Sequence, residues 1–198
     1  MPEIINHLEK EIILAIFRNP GINLRTLIEK TKSSPNSCSK YVNFFVKKGI
    51  VKEEKLEKNR VYLRRFFLNF DSLLARNFFM LVKEAEKEIF FNKYKKLKPV
   101  LDSISEIKGL SFLLVYGSYA RLSAEKDSDI DGIIVGNIKD KEKIKEIAVT
   151  LDIEVSIKIE TLSQFKKRIK DALHQQIIKE NILISGYENF MQALLESS

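Results

Sequence analysis

The sequence predicts an α+β protein built from two domains, and three observations carry that expectation. Residues 5–67 show helical periodicity three times and then strand alternation twice. Residues 113–135 place two apolar, β-branched runs on either side of a polar loop, and residues 151–159 alternate apolar and polar with a period of two. Between these regions lies a long helical stretch crowded with aromatic residues. A chain of 198 residues with 44% apolar content is enough for two small cores.

In the first helix Ile5, Leu8, Ile12, Ala15 and Ile16 recur at helical spacing, and Asn19-Pro20-Gly21 stops the run. Asn23 suits the N-cap of a second helix that carries Leu24, Leu27 and Ile28. Ser34 suits the N-cap of a third, with Pro35 at its first position and Gly49 as its stop. Cys38, Tyr41, Val42, Phe45 and Val46 form its apolar stripe, and Asn36, Ser37, Ser39, Lys40, Asn43 and Lys47 its polar face. Residues 50–55 and 60–66 then alternate as strands around Leu56-Glu57-Lys58-Asn59, a basic hairpin.

Three helices followed by a hairpin is the order of a winged helix-turn-helix, and residues 1–67 resemble the winged-helix domains of prokaryotic transcription regulators. The resemblance implies double-stranded DNA as a partner, with the third helix in the major groove and the hairpin on the adjacent backbone. Asn36 and Asn43 would then face base edges, while Ser37, Ser39, Lys40 and Lys47 hold phosphates. Lys58, Arg60, Arg64 and Arg65 would add phosphate contacts from the hairpin. Charge agrees with this division. Residues 1–67 hold 14 Lys and Arg against 7 acids, and the remainder holds 20 against 20, so the whole net charge of +7 lies in the first third.

Residues 66–98 read as a helical segment starting near Asp71, with Leu73, Leu74, Phe78, Leu81, Val82, Ala85 and Ile89 on one side. Phe66, Phe67, Phe70, Phe78, Phe79, Phe90 and Phe91 exceed what one stripe needs. A core joining the domains and a homodimer contact both account for them, so residues 68–98 are expected to act as linker and dimerisation segment. Lys93, Lys95, Lys96 and Lys98 read as a solvated face. Pro99 breaks the segment or opens a helix over 100–108 that stops at Gly109, and residues 99–198 form the second domain.

That domain is organised around Gly117-Ser118, at the mouth of the strand 113–116, and Ser128-Asp129-Ile130-Asp131, at the start of the strand 130–135. Side chains alternate along a strand, so Asp129 and Asp131 share a face, where two like charges invite a divalent cation. Asp-x-Asp alone more often marks a turn or an exposed strand end. The Gly-Ser ahead of it adds backbone N–H groups and a hydroxyl able to meet a phosphate.

Gly117-Ser118-Tyr119-Ala120-Arg121 followed by Ser128-Asp129-Ile130-Asp131 resembles the nucleotidyltransferase superfamily typified by DNA polymerase beta, and within it the minimal nucleotidyltransferases of prokaryotes. Leu122 stands where that family usually has a glycine, which should stiffen the loop, and Gly132 where it usually has an aliphatic residue. The resemblance implies a mixed β-sheet flanked by helices. It also implies transfer of a nucleoside monophosphate, AMP from ATP, to an acceptor hydroxyl at a two-metal Mg2+ site held by three carboxylates. Asp129 and Asp131 are two of these by motif position. The third belongs on the strand 151–159, where Asp152, Glu154, Ser156 and Lys158 share a face, and Glu154, central in it, is the chosen residue although the family commonly has Asp there. Gly117, Ser118, Arg121 and Ser128 would hold the nucleoside triphosphate. Arg121 equally suits an ion pair with Glu125 or Asp127.

Minimal nucleotidyltransferases often act as antitoxins that modify a partner toxin protein, so the resemblance also implies a protein acceptor, with the DNA-binding arm suited to autoregulation. Two other classes stay open: a transcription regulator whose second domain only senses a nucleotide, and a small-molecule modifier of the antibiotic-adenylylating kind. Other features narrow the field. No run approaches the roughly 20 apolar residues of a membrane span, and the acidic, amphipathic start does not read as a secretory signal. The single Cys38 excludes an internal disulfide and fits a reducing cytoplasm. His7 and His174 are too few for a Cys/His metal site. Near the C-terminus Thr161 caps one helix through Leu162, Phe165, Ile169, Leu173 and Ile177, and a last helix ends near Glu196. Arg168 and His174 resemble the Arg-x-His motif of small ribonuclease toxins only in spacing, without its all-helical context, so Lys166, Lys167, Arg168 and Lys170 read as a solvated face.

Overall fold

The computed structural model describes residues 5–58, 61–125, 128–140, 142–149 and 155–196. The chain divides into two compact units, residues 1–85 and 86–198, with the boundary inside the long helix that crosses the segment 68–98.

The first unit follows its capping residues closely. Helix α1 (His7–Arg18) starts at Asn6, whose side chain accepts from the Glu9 N–H while the Glu9 carboxylate accepts from the Asn6 N–H, a reciprocal capping box. Asn23 caps α2 (Leu24–Thr31) through the Thr26 N–H, and Ser34 caps α3 (Pro35–Lys47) through the Ser37 N–H. Ile22–Asn23 also form a short strand, β1, which the sequence does not reveal because two residues carry no periodicity. Strands β2 (Val51–Lys58) and β3 (Val61–Leu68) run further than their polarity pattern indicates. The pairs Leu56↔Leu63 and Glu57↔Tyr62 extend the ladder through Leu56 and Glu57, expected in the loop, and Leu56, Tyr62 and Leu63 are exposed, so burial leaves no mark there. The sheet order is β1-β3-β2, antiparallel throughout. Ile12, Ile16, Leu27, Cys38, Val42, Phe45 and Phe66 are fully buried at the centre, each large apolar side chain worth about 1.5–3 kcal/mol against exposure. Burial pushes the Cys38 thiol up, against weaker hydrogen bonds from Ser33 and Thr31. Strand β3 continues to Leu68, and helix α4 (Leu73–Lys93) begins two residues after Asp71, close to the start expected of the helical segment.

The second unit continues through a 3-10 turn at Lys95–Leu97 into α5 (Lys98–Ser105), with Pro99 in its first turn, where the missing N–H costs nothing. There follow β4 (Leu110–Tyr116), a single helical turn α6 (Gly117–Ala120), β5 (Ile130–Gly136), α7 (Glu142–Val149) and β6 (Val155–Glu160). The chain then forms α8 (Leu162–Arg168), α9 (Ala172–Lys179), β7 (Ile182–Ser185) and α10 (Tyr187–Leu195). The sheet order is β6-β5-β4-β7, in which β5 and β6 are parallel and the other pairs antiparallel, so the sheet is mixed and flanked by helices as expected. The one helix expected over 162–177 is two. Asp171 has extended backbone (φ −69, ψ 145) and its N–H bonds to the Arg168 carbonyl at 2.8 Å, while the apolar spacing runs on across the break. Thr161 caps α8 in a capping box with Gln164. Among the described residues no helix is long and apolar enough to cross a membrane.

Candidate active site and nucleic-acid interface

The register of the second sheet sorts its side chains into rows on each face. On one face the rows Val115–Gly132–Ile157 and Leu113–Ile134–Ile159 join Ile104, Ile144, Ile182 and Ile184 in a continuous core. A Cβ on Gly132 would lie 3.3 Å from Ile157 Cγ1, so Ile157 occupies the space of the aliphatic side chain the family usually carries there. The other face reads Tyr116–Asp131–Ser156, then Leu114–Ile133–Lys158, then Phe112–Val135–Glu160. Its last row is covered, since Phe112 meets the rings of Phe165 and Phe190 at centroid distances of 5.1 and 5.5 Å. Its first row is open, with Asp131 half-buried and Ser156 exposed, and Lys158 of the second row is exposed beside it.

The two halves of the motif meet at Gly117. It lies in the left-handed region (φ +71), and a Cβ there would fall 2.4 Å from Asp131 Oδ2. Glycine is required for conformation and for clearance at once. The segment after Gly117 is not an open loop but a closed helical turn: Arg121 N–H bonds to Gly117 O (3.2 Å), Leu122 N–H to Tyr119 O (3.0 Å) and Ser123 N–H to Ser118 O (2.9 Å). Leu122 is also left-handed (φ 56), which accounts for glycine being the usual residue there. Its carbonyl accepts from Lys93 Nζ at 2.5 Å, and its side chain packs on the core.

Electrostatics mark the same place. Burial raises the Tyr116 phenol above its ordinary range, and the charges of Asp131 and Glu160 raise it further. Tyr119 is raised by burial, then by Tyr94, whose ring it meets edge-on at 4.9 Å, and by Asp129. The side chains of Asp129, which is exposed, Asp131 and Lys158 make no hydrogen bond or ion pair among the described residues. The aspartates offer hard oxygen donors of the kind Mg2+ takes. Among the described residues no group of three metal-ligating side chains forms, and Glu154 lies outside them. Ser128 closes the far end of the loop, its hydroxyl accepting from the Glu125 N–H at 2.9 Å. The partner of Arg121 is Glu180 at 3.7 Å; Asp127 lies outside the described residues.

The covered end of this face holds a polar cluster around the buried Glu160 and His174 that sequence reading missed. Glu160 Oε2 lies 3.0 Å from His174 Nε2, and Glu160 Oε1 accepts from Arg168 Nη1 at 2.8 Å. Arg168 is therefore not simply part of a solvated face, and Lys166 likewise pairs with Glu196. The available signal was the alternation of β6, whose polar series continues past Lys158 to Glu160.

In the first unit, Asn36, Lys40, Asn43 and Lys47 are exposed on α3, and Ser37 and Ser39 are half-buried. Ser37 Oγ bonds to Ser34 Oγ at 2.9 Å. Arg64 is occupied within the protein, pairing with Glu53 and donating to Asn43 Oδ1. Arg65 donates to the Gly21 carbonyl at 3.2 Å. Arg60 and the side chain of Lys58 lie outside the described residues.

Residues 5–52 match the family model described as "Winged helix-turn-helix DNA-binding", and residues 95–189 match the one described as "Polymerase beta, Nucleotidyltransferase". No curated protein matches the chain. A structure described as "Crystal structure of the toxin-antitoxin with AMP-PNP" is 20% identical, with a TM-score of 0.37, over 51% of this chain and 81% of its own.

Proposed function

Because the chain is a winged helix-turn-helix domain followed by a Polymerase beta nucleotidyltransferase domain, we propose that it transfers AMP from ATP to an acceptor hydroxyl while its N-terminal domain is held on duplex DNA. The observation that supports this reading is the approach of Gly117 to the Asp131 carboxylate, which brings the Gly-Ser turn and the Asp-x-Asp strand together. Ser118 and the N–H groups of the turn would hold the triphosphate oxygens, with Arg121 and Lys158 as cations beside them. Asp129, Asp131 and Glu154 would hold Mg2+; Glu154 directly precedes Val155, whose register partner Ile130 directly follows Asp129. Bound Mg2+ supplies a more acidic acceptor hydroxyl and charge for the departing pyrophosphate. The acceptor oxygen would bond to the α-phosphorus as the bond to pyrophosphate breaks and the hydroxyl proton passes to water.

The resemblance to minimal nucleotidyltransferases points to a hydroxyl on a partner protein as acceptor, and the DNA partner to work in the cytoplasm. The exposed Leu73, Leu74 and Leu81 of α4 suit a second copy of the chain. The test is incubation with α-labelled ATP, Mg2+ and cell extract. Label should enter a protein with the wild type and not with Asp131→Asn, which still binds DNA. A wild-type chain that binds Mg2+ and ATP yet transfers no label would overturn the proposal.

One observation favours a second reading. The residue of β6 directly beside Asp131 is Ser156, not a carboxylate. A domain that only senses nucleotide would bind ATP without releasing pyrophosphate, and nucleotide would shift its DNA affinity. Pyrophosphate release by the wild type rules this reading out.

A further inference from the structure

Three side chains from three elements of the first domain form one chain of hydrogen bonds. Glu53, on β2, accepts from Arg64 of β3 twice, Nε to Oε1 at 2.7 Å and Nη2 to Oε2 at 3.0 Å. The same Nη2 donates to Asn43 Oδ1, on the exposed face of α3, at 2.7 Å. The ion pair is mostly shielded, with side-chain exposures of 30% for Arg64 and 14% for Glu53, and the guanidinium also lies 5.1 Å from the centre of the Phe66 ring.

The chemistry of the partners fixes the direction of this chain. A guanidinium only donates, so the atom of Asn43 that faces it must be the carbonyl oxygen, and the amide nitrogen faces the other way, 3.4 Å from Ser39 Oγ. An asparagine free to turn can pair bidentately with adenine, whereas one held at its oxygen presents chiefly a donor. A carboxylate beside a DNA-binding helix repels phosphate unless it is paired, and an arginine left free is a general phosphate contact without base preference. Glu53 converts Arg64 from that general role to a fixed one.

We propose that Glu53 is a specificity-determining residue of DNA recognition. By clamping Arg64 it keeps the guanidinium off the phosphate backbone and uses it to aim the Asn43 amide N–H at a base-edge acceptor in the major groove. The proposal rests on the reading of the first domain as DNA-binding. Glu53 positions; Asn43 reads.

The test uses the full-length chain, a pool of 20-base-pair duplexes of random sequence for selection, and one fixed random duplex for salt titration. Selection with the wild type should enrich one base pair that Asn43→Ala no longer selects. Glu53→Gln should lose the same preference. It should also bind the fixed duplex about threefold tighter in low salt, with a log–log salt slope steeper by about 0.9, the mark of one extra phosphate contact. Asn43→Ala should leave that slope unchanged. Circular dichroism of both variants should match the wild type, since both changes are conservative or lie at the surface. A folded Glu53→Gln protein with wild-type base preference and wild-type slope overturns the proposal while leaving DNA binding intact. A wild type without salt-dependent duplex binding overturns the proposal and the reading beneath it.

Discussion

On the winged-helix surface Arg64 is bound to Glu53 and Asn43, whereas in the nucleotidyltransferase domain the side chains of Asp129, Asp131 and Lys158 have no hydrogen-bond or ion-pair partner among the described residues. Both surfaces are rich in charge, yet one fixes its charged groups on each other and the other leaves them unpaired among the described residues. A surface that reads base edges gains from groups fixed in advance, because selectivity depends on the direction of each donor. A surface that takes a multivalent cation gains from carboxylates left uncompensated, because their mutual repulsion is relieved only when the cation arrives. The covered end of the same sheet face shows the alternative: Glu160, paired with His174 and Arg168, is spent on structure.

This contrast can be broken or sharpened by substitution. The largest expected effect is at Asp131. Asp131→Asn should lower label transfer on the order of 10³-fold, from several kcal/mol of lost charge stabilisation, with thermal stability near that of the wild type. Undiminished turnover would show that the uncompensated carboxylate is not where the chemistry occurs. Glu160→Ala should do the opposite, destabilising by about 1–3 kcal/mol by leaving the buried His174 without its hydrogen-bond partner, as read by denaturant unfolding. A loss below about 1 kcal/mol would mean the cluster is not structural.

The two left-handed positions of the turn give a finer comparison. Gly117→Ala forces an L side chain into positive φ and into Asp131, so stability should fall by about 1–2 kcal/mol or more, with lower turnover. Leu122→Gly removes about 1–2 kcal/mol of strain and gives up about 1 kcal/mol of apolar burial, so the net change should stay within about 1 kcal/mol. A Gly117→Ala loss that is undiminished in an Asp131→Ala background, read by thermal melts, would show that backbone strain, not the contact with Asp131, makes Gly117 necessary.

The smallest effect is the pH response of the clasp. The hydrogen bond from Arg64 is the main cause holding the Glu53 carboxyl below its ordinary 4.5. A depressed folded-state value means a stabilising contribution that is complete above about pH 4.5 and lost as pH falls through the lower folded value. A pH titration of the Glu53 side-chain carboxyl by NMR should show the depressed midpoint, and Arg64→Met should return it toward 4.5. An unchanged midpoint would remove Arg64 as its cause.

The helix starts of the first domain were legible because Asn23, Ser34 and Pro35 act on neighbours two or three residues away, and capping is a local interaction. The strand ends were not, because Leu56 and Leu63 are stabilised by pairing with each other rather than by a buried face. The break at Asp171 was hidden for the reverse reason, since apolar spacing continues through a turn in which the backbone alone departs from helix. In the site, the Gly-Ser and Asp-x-Asp residues could be read from their order, while Glu160 and His174 could not be paired across 14 residues and a change of element.

By itself, then, the sequence determined the α+β class, the order of helices and hairpin, the charge split and the identity of the motif residues. All of these depend on spacing and composition along the chain. Only the tertiary structure decided that Gly117 gives clearance to Asp131, that Arg64 serves Asn43, and that Arg168 and His174 meet at Glu160. Those contacts join residues distant in sequence, and side-chain chemistry alone does not say which partner a charge will find until the strands have set their register.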